Sequence, residues 1–204
     1  MKRILSFILL FGSLLTLTAC SDAADSSKVP DKTGLEPYAL SEKEQDLLAA
    51  FGIQDKAQIL SFRAPEETTS LHINVYQLSG GGNEWENIGG GDVSLDTTGM
   101  ESPEQQSGTF TMQLRKDRSI DFDIDYIGHF SFETEPFTFD QEVIGSTWSF
   151  LDSFQNIEPD TEIPVAVIVY DSGNHMPSCT PQDYFDPSNF EGMDLVQAVT
   201  LEFE

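Results

Sequence analysis

The side chains best suited to chemistry are few: the chain has three histidines, two cysteines and a large surplus of carboxylates. His175 and Cys179 fall in one connection, and a thiol becomes a nucleophile when a neighbouring base takes its proton. A working pair also needs a group that orients the imidazole and donors for an oxyanion. Neither is visible around these residues. His72 and His129 stand alone within strand-like runs. Asp121, Asp123 and Asp125 project from one face of a strand, about 6.8 Å between successive members at about 3.4 Å per residue. Calcium takes six to eight oxygens from such groups, usually gathered on a tight loop, and no D-x-[DN]-x-[DN]-G loop is present. The favoured reading is a solvated face that discourages edge-to-edge pairing, with no metal and no cofactor. G-x-S-x-G, H-E-x-x-H, C-x-x-C and G-x-x-x-x-G-K-[ST] are all missing from the sequence. Gly80–Gly82 and Gly89–Gly91 lack the lysine and helix start of a phosphate loop, so they read as hairpin turns.

Recognition is the alternative to catalysis. Residues 171–192 form the longest connection without periodicity, and connections above about 12–15 residues are mostly functional or disordered. This one carries Tyr184 and Phe185 as aromatic anchors and Asn174 as a hydrogen-bonding group. Its three prolines lower the ordering cost of binding. Tyr184, Phe185 and Asn174 are therefore the candidate ligand-binding residues; the competing role is packing over a sheet edge, with Tyr184 and Phe185 buried. Tyr76, Trp85 and Trp148, if exposed, would form platforms for sugar rings.

The elements that must position these groups alternate with period two. Leu60 and Phe62, then Leu71, Ile73 and Val75, then Phe110, Met112 and Leu114 mark one apolar face each. Ile120, Phe122, Ile124 and Tyr126 follow, then Phe130 and Phe132, Trp148 and Phe150, Val165, Val167 and Val169, and lastly Val199, Leu201 and Phe203. Half-polar strands separated by turn signals predict a mainly β protein: an antiparallel β-sandwich-like domain whose sheets each keep one wet face. One short amphipathic helix precedes them over residues 42–51. Ser41 and Glu44 make a capping box, and Leu47, Leu48 and Phe51 form a face that must dock.

Before the helix, residues 21–40 are small, polar and without apolar period, and read as a flexible tether. Before that, Met1-Lys2-Arg3 and an uncharged apolar run from Ile4 to Leu17 form a signal-peptide pattern. Residues 4–19 would make a helix of about 24 Å, short of the roughly 30 Å hydrocarbon core. The run ends in Leu17-Thr18-Ala19-Cys20, which resembles the lipobox of bacterial lipoproteins. The resemblance covers the first 20 residues and implies cleavage before Cys20, whose thiol receives diacylglycerol. Two or more acyl chains hold a protein stably on a bilayer. Cys179 would then be alone in the mature body.

Charge sets limits on partners. The formal net charge is −25, and removal of Lys2 and Arg3 with the leader takes it to −27. Such a surface excludes nucleic-acid binding, which needs cations to displace counterions from phosphates. The expectation is an exported, lipid-anchored protein on the extracytoplasmic side of a bacterial membrane. It comprises residues 1–19 as leader, 20–40 as lipidated cysteine and tether, and 41–204 as the domain. Its role is non-catalytic, binding or structural, toward an envelope protein or glycan. A carbohydrate-binding module is the second reading, and a hydrolase using the 171–192 loop the third.

Overall fold

The computed structural model describes residues 29–79, 84–96, 106–136, 145–173 and 176–204. Among these residues ten strands form two open antiparallel sheets. The first sheet has the order β1 (Gly34–Pro37), β2 (Ala57–Arg63), β5 (Ser107–Leu114), β6 (Ile120–Asp125), β7 (His129–Glu133). In the second the order is β4 (Glu86–Ser94), β3 (Ser70–Ser79), β10 (Leu195–Phe203), β9 (Ile163–Asp171), β8 (Gly145–Phe150). A β-sandwich-like architecture is what the alternating pattern predicts.

The apolar faces named above for β2, β3, β5, β6 and β10 meet between the sheets, whereas Val167 and Val169 of β9 face outward and Phe130 is exposed. Leu60, Phe62, Phe110, Met112, Phe122 and Ile124 from the first oppose Leu71, Ile73, Val75, Leu201 and Phe203 from the second, all essentially without solvent contact. Phe62 stacks at 5.6 Å on Phe203, tying the layers, and Phe110–Phe122–Phe132 forms a cross-strand ladder at 5.8 and 5.2 Å. Such aromatic contacts add about 0.5–1.5 kcal/mol each beyond the area they bury.

Four expectations are corrected. Residues 34–37 are strand rather than tether. β1 pairs with β2 in the register Gly34↔Arg63 to Pro37↔Leu60, and Leu35 is wholly buried. A four-residue edge strand with a single core side chain leaves little periodicity to read, so the domain begins before residue 41.

The helix α1 (Glu42–Ala50) has its capping box, with the Ser41 N–H donating to Glu44 Oε2 at 2.7 Å and the Glu44 N–H to Ser41 Oγ at 3.4 Å. Its apolar face does not dock, however. No residue of α1 is buried, and Leu47 and Phe51 are 56% and 71% exposed. The helix is held by its ends instead, through the cap and the Ile53 N–H donated to the Leu48 carbonyl at 3.1 Å.

Gly89–Gly91 is not a turn but the middle of β4, opposite Val75, Asn74 and Ile73. A register shift at Val75/Tyr76 falls there, and Gly90 has φ +147°, open to glycine alone at low cost. A Cβ on Gly91 would sit 2.7 Å from the Phe132 ring, so this glycine makes room for β7 of the facing sheet.

The fourth correction concerns the wet faces. β9 is buried at every position and β10 at all but Glu202. Val167, Val169, Val196 and Ala198 point away from the main core into a second apolar cluster with Leu78, Tyr184 and Phe190. The 171–192 connection supplies its cover, folding over the outer face as two 3₁₀ turns, Pro181–Phe185 and Pro187–Phe190.

Candidate functional site

The long connection is braced from within. Asp183 accepts from the Thr180 N–H and hydroxyl at 2.6 and 3.0 Å and from Asn189 Nδ2 at 2.7 Å. Tyr184 is 8% exposed, between the rings of Tyr76 at 5.5 Å and Trp85 at 5.2 Å. Its carbonyl accepts from Trp85 Nε1 at 2.8 Å. Its hydroxyl donates to Glu162 Oε2 at 2.7 Å, while Glu162 Oε1 accepts from Tyr76 at 2.5 Å and Thr200 at 3.1 Å. Burial, and then the Glu162 carboxylate, push the Tyr184 phenol far above its usual range. Such a phenol stays neutral and serves as a donor. Tyr184 is thus a packing residue that locks the connection onto the sheet.

Phe185 points the other way and is 61% exposed. Asn174, His175, Cys20 and Gly80–Gly82 lie outside the described residues. Cys179 is half-buried against the second cluster, and burial followed by the charge of Asp183 raises its thiol above the usual value. A raised thiol is the opposite of an activated nucleophile. Trp85 and Trp148 are both half-buried, Trp85 packed on the second cluster and Trp148 on the main core.

The three aspartates of β6 share one face, as their spacing requires. Asp121 pairs with Arg115 at 3.0 Å. Asp123 accepts from Ser131 at 2.5 Å and stands 3.4 Å from His129, and Asp125 is exposed. Cross-strand partners on β7 thus answer part of the like-charge repulsion. Among the described residues no cluster of three or more acids, histidines or cysteines is arranged to hold a metal.

Sequence reading missed a Ser–His–Asp line on the outer face of the second sheet. Ser70 Oγ lies 3.0 Å from His72 Nε2, and His72 Nδ1 lies 2.5 Å from Asp92 Oδ1. Ser70 and His72 are alternate residues of β3, and Asp92 is the β4 partner of His72. Only the strand register brings the aspartate there, so no sequence motif announces it. Burial works against the charged imidazole, but the hydrogen bond that His72 donates to Asp92 and the nearby charge of Glu204 outweigh it and raise the His72 pKa above its ordinary value. Glu204 Oε2 also sits 3.1 Å from Nε2, the nitrogen that would have to deprotonate Ser70. The Ser70 N–H is committed to the Glu204 carbonyl at 2.9 Å, so it is no oxyanion donor. The geometry suits a charged latch joining β3, β4 and the C-terminal residue.

A more open arrangement lies at one end of the sandwich, where β5 turns into β6, β8 begins and β9 ends into the long connection. Here Lys56, Leu114, Arg115, Lys116, Arg118, Trp148, Ile168 and Tyr170 line a cleft of about 360 Å³, within the range of small-molecule sites. The Arg115–Arg118 turn is pinned by the Arg118 N–H donating to the Arg115 carbonyl at 3.1 Å and by Arg115 N–H to Ser119 O at 2.9 Å. Asp117, itself exposed, accepts from the Ser119 hydroxyl at 2.7 Å and its N–H at 3.2 Å. Trp148 Nε1 donates to the Asp55 carbonyl at 2.5 Å, fixing the indole at the mouth. The Arg-Lys-Asp-Arg run reads in sequence as a polar turn; Lys56 and Trp148 reach it only through the fold.

No family model, curated protein or solved structure matches the chain.

Proposed function

We propose that this protein is a bacterial lipoprotein: a non-catalytic β-sandwich-like binding domain held on the extracytoplasmic side of a membrane through lipid on Cys20. The observation that carries the proposal is Leu17-Thr18-Ala19-Cys20 at the end of an uncharged apolar run that follows Lys2-Arg3. The fold is compatible with it. Among the described residues no helix is long and apolar enough to cross a membrane.

Pro30 accepts from Arg63 Nε at 2.7 Å and Gly34 pairs with Arg63, so the N-terminal segment joins at the far end of β2 from Lys56. Seven residues of β2 separate the two ends, about 20 Å at about 3.3 Å per residue. Residue 30 and the cleft thus lie toward opposite ends of β2. An envelope protein or glycan is the partner class, and the high negative charge argues against nucleic acid.

The test is metabolic labelling with a fatty-acid analogue in a bacterial host. The wild type should incorporate label and fractionate with membranes, while Cys20→Ala should remain an unlabelled precursor. Equal labelling of the two would overturn the proposal.

A further inference from the structure

The cleft at the sandwich end concentrates positive charge in a chain that has almost none. Of ten Lys and Arg in the whole sequence, Lys56, Arg115, Lys116 and Arg118 line this one cavity, and among the described residues no Asp or Glu lines it. Arg115 is paired with Asp121. No carboxylate of the described residues lies within 4.0 Å of the ammonium groups of Lys56 or Lys116, despite 35 acids in the chain. Asp117, exposed beside Lys116, accepts from Ser119 and lines the adjoining hollow that Lys56, Arg115 and Lys116 share.

Lys56 and Lys116 therefore present two ammonium groups that an incoming anion would meet. Beside them Trp148 is half-buried and Leu114, Ile168 and Tyr170 are buried, with the Arg118 guanidinium 5.8 Å from the centre of the Tyr170 ring. Burial lifts the Tyr170 phenol to about 12, so it adds no negative charge at neutral pH. The overall charge of −25 repels an anion at long range. Exposed charges are, however, screened beyond a Debye length of about 8–10 Å, whereas these cations would meet the ligand directly against low-dielectric walls. The local charge wins.

We infer that this cleft binds a small organic anion: a single-ring, sugar-sized body carrying a carboxylate or phosphate. The charged group would meet Lys56 and Lys116, and the ring would lie against Trp148. This deepens the binding role proposed above and is independent of the lipid anchor.

Isothermal titration calorimetry on the full chain in detergent tests it, with glucuronate and glucose 6-phosphate as the two anionic probes, inorganic phosphate as the bare head group, and glucose as the neutral control. The expected result is saturable binding of at least one anionic sugar, at least about tenfold tighter than glucose or inorganic phosphate, and lost near 1 M salt as an electrostatic contact requires. The double variant Lys56→Gln/Lys116→Gln should weaken it by about tenfold or more with unchanged thermal melting, whereas Lys43→Gln, on α1, should bind as the wild type. Absence of binding by both anionic sugars at about 10 mM, or equal binding by the double variant, would overturn the inference. Equal loss in Lys43→Gln would overturn it too, by showing a diffuse charge effect. Binding of glucose as tight as glucuronate would refute the anionic class while leaving the binding role in place.

Discussion

Replacing Tyr184 by alanine separates a packing role for the long connection from a recognition role. The ring is 8% exposed and touches Tyr76, Trp85 and Phe185 with centroids 5.5, 5.2 and 5.4 Å away. Truncating a buried aromatic costs about 3–5 kcal/mol; the rim position of Tyr184 places it toward the lower part of that range. The hydroxyl adds a hydrogen bond to the Glu162 carboxylate, and bonds to charged groups contribute about 1.5–3 kcal/mol. Tyr76 and Thr200 still donate to that carboxylate, which keeps the loss near the low end. A total of about 4 kcal/mol is expected, which lowers Tm by roughly 8–16 °C at about 2–4 °C per kcal/mol for a domain of this size. Tyr184→Phe keeps the ring and isolates the hydroxyl, for about 1.5 kcal/mol. Phe185→Ala, at 61% exposure, should stay within about 0.5 kcal/mol of wild type. Thermal melting by circular dichroism reads all three. If Tyr184→Ala melts within about 2 °C of wild type, the connection is not locked to the sheet as described.

Other expectations follow from the packing and the charges. Gly90→Ala should destabilise by about 2–4 kcal/mol, since its Cβ would meet the Ile73 carbonyl and its φ is +147°; denaturant unfolding checks this, and a neutral result would contradict the bulge. Phe122→Ala should cost about 3–5 kcal/mol, whereas Asp123→Ser, half-exposed on the opposite face, should be nearly silent in the same assay. His72 has its folded-state pKa raised above 6.5 by Asp92 and Glu204 against the effect of burial. Its stabilising contribution is therefore full below about pH 6.5 and is lost as pH rises through the folded value. The stability gap between wild type and His72→Gln should be wider at pH 5.5 than at pH 8.5, and equal gaps would refute the latch.

The strands whose apolar side chains alternate strictly are legible from sequence because the sandwich buries one face and wets the other. Phe110, Met112 and Leu114 or Ile120, Phe122 and Ile124 behave in that way. The pattern fails where a residue's environment is supplied from far along the chain. β9 looks like a half-polar strand's apolar side, yet the connection after it covers its second face. Gly89–Gly91 looks like a turn because the reason for its glycines, the Phe132 ring and the Ile73 carbonyl, lies on other strands. The helix has a well-formed cap and an apolar stripe, but local sequence does not say whether a surface exists to receive that stripe. Similarly, the aromatic residues of 171–192 were conspicuous while the cleft beside that connection was not. Its cations come from the β5–β6 turn and from Lys56, and strand register alone brings them to one end.

The most direct measurement on the central claim is the mass of the mature N-terminal peptide from protein purified out of bacterial membranes. Lipid attachment predicts a peptide beginning at Cys20 and heavier than its amino-acid mass by a diacylglyceryl group, with or without a further acyl chain. A peptide beginning at Cys20 without added mass, or an N-terminus elsewhere on a protein that still fractionates with membranes, would contradict it.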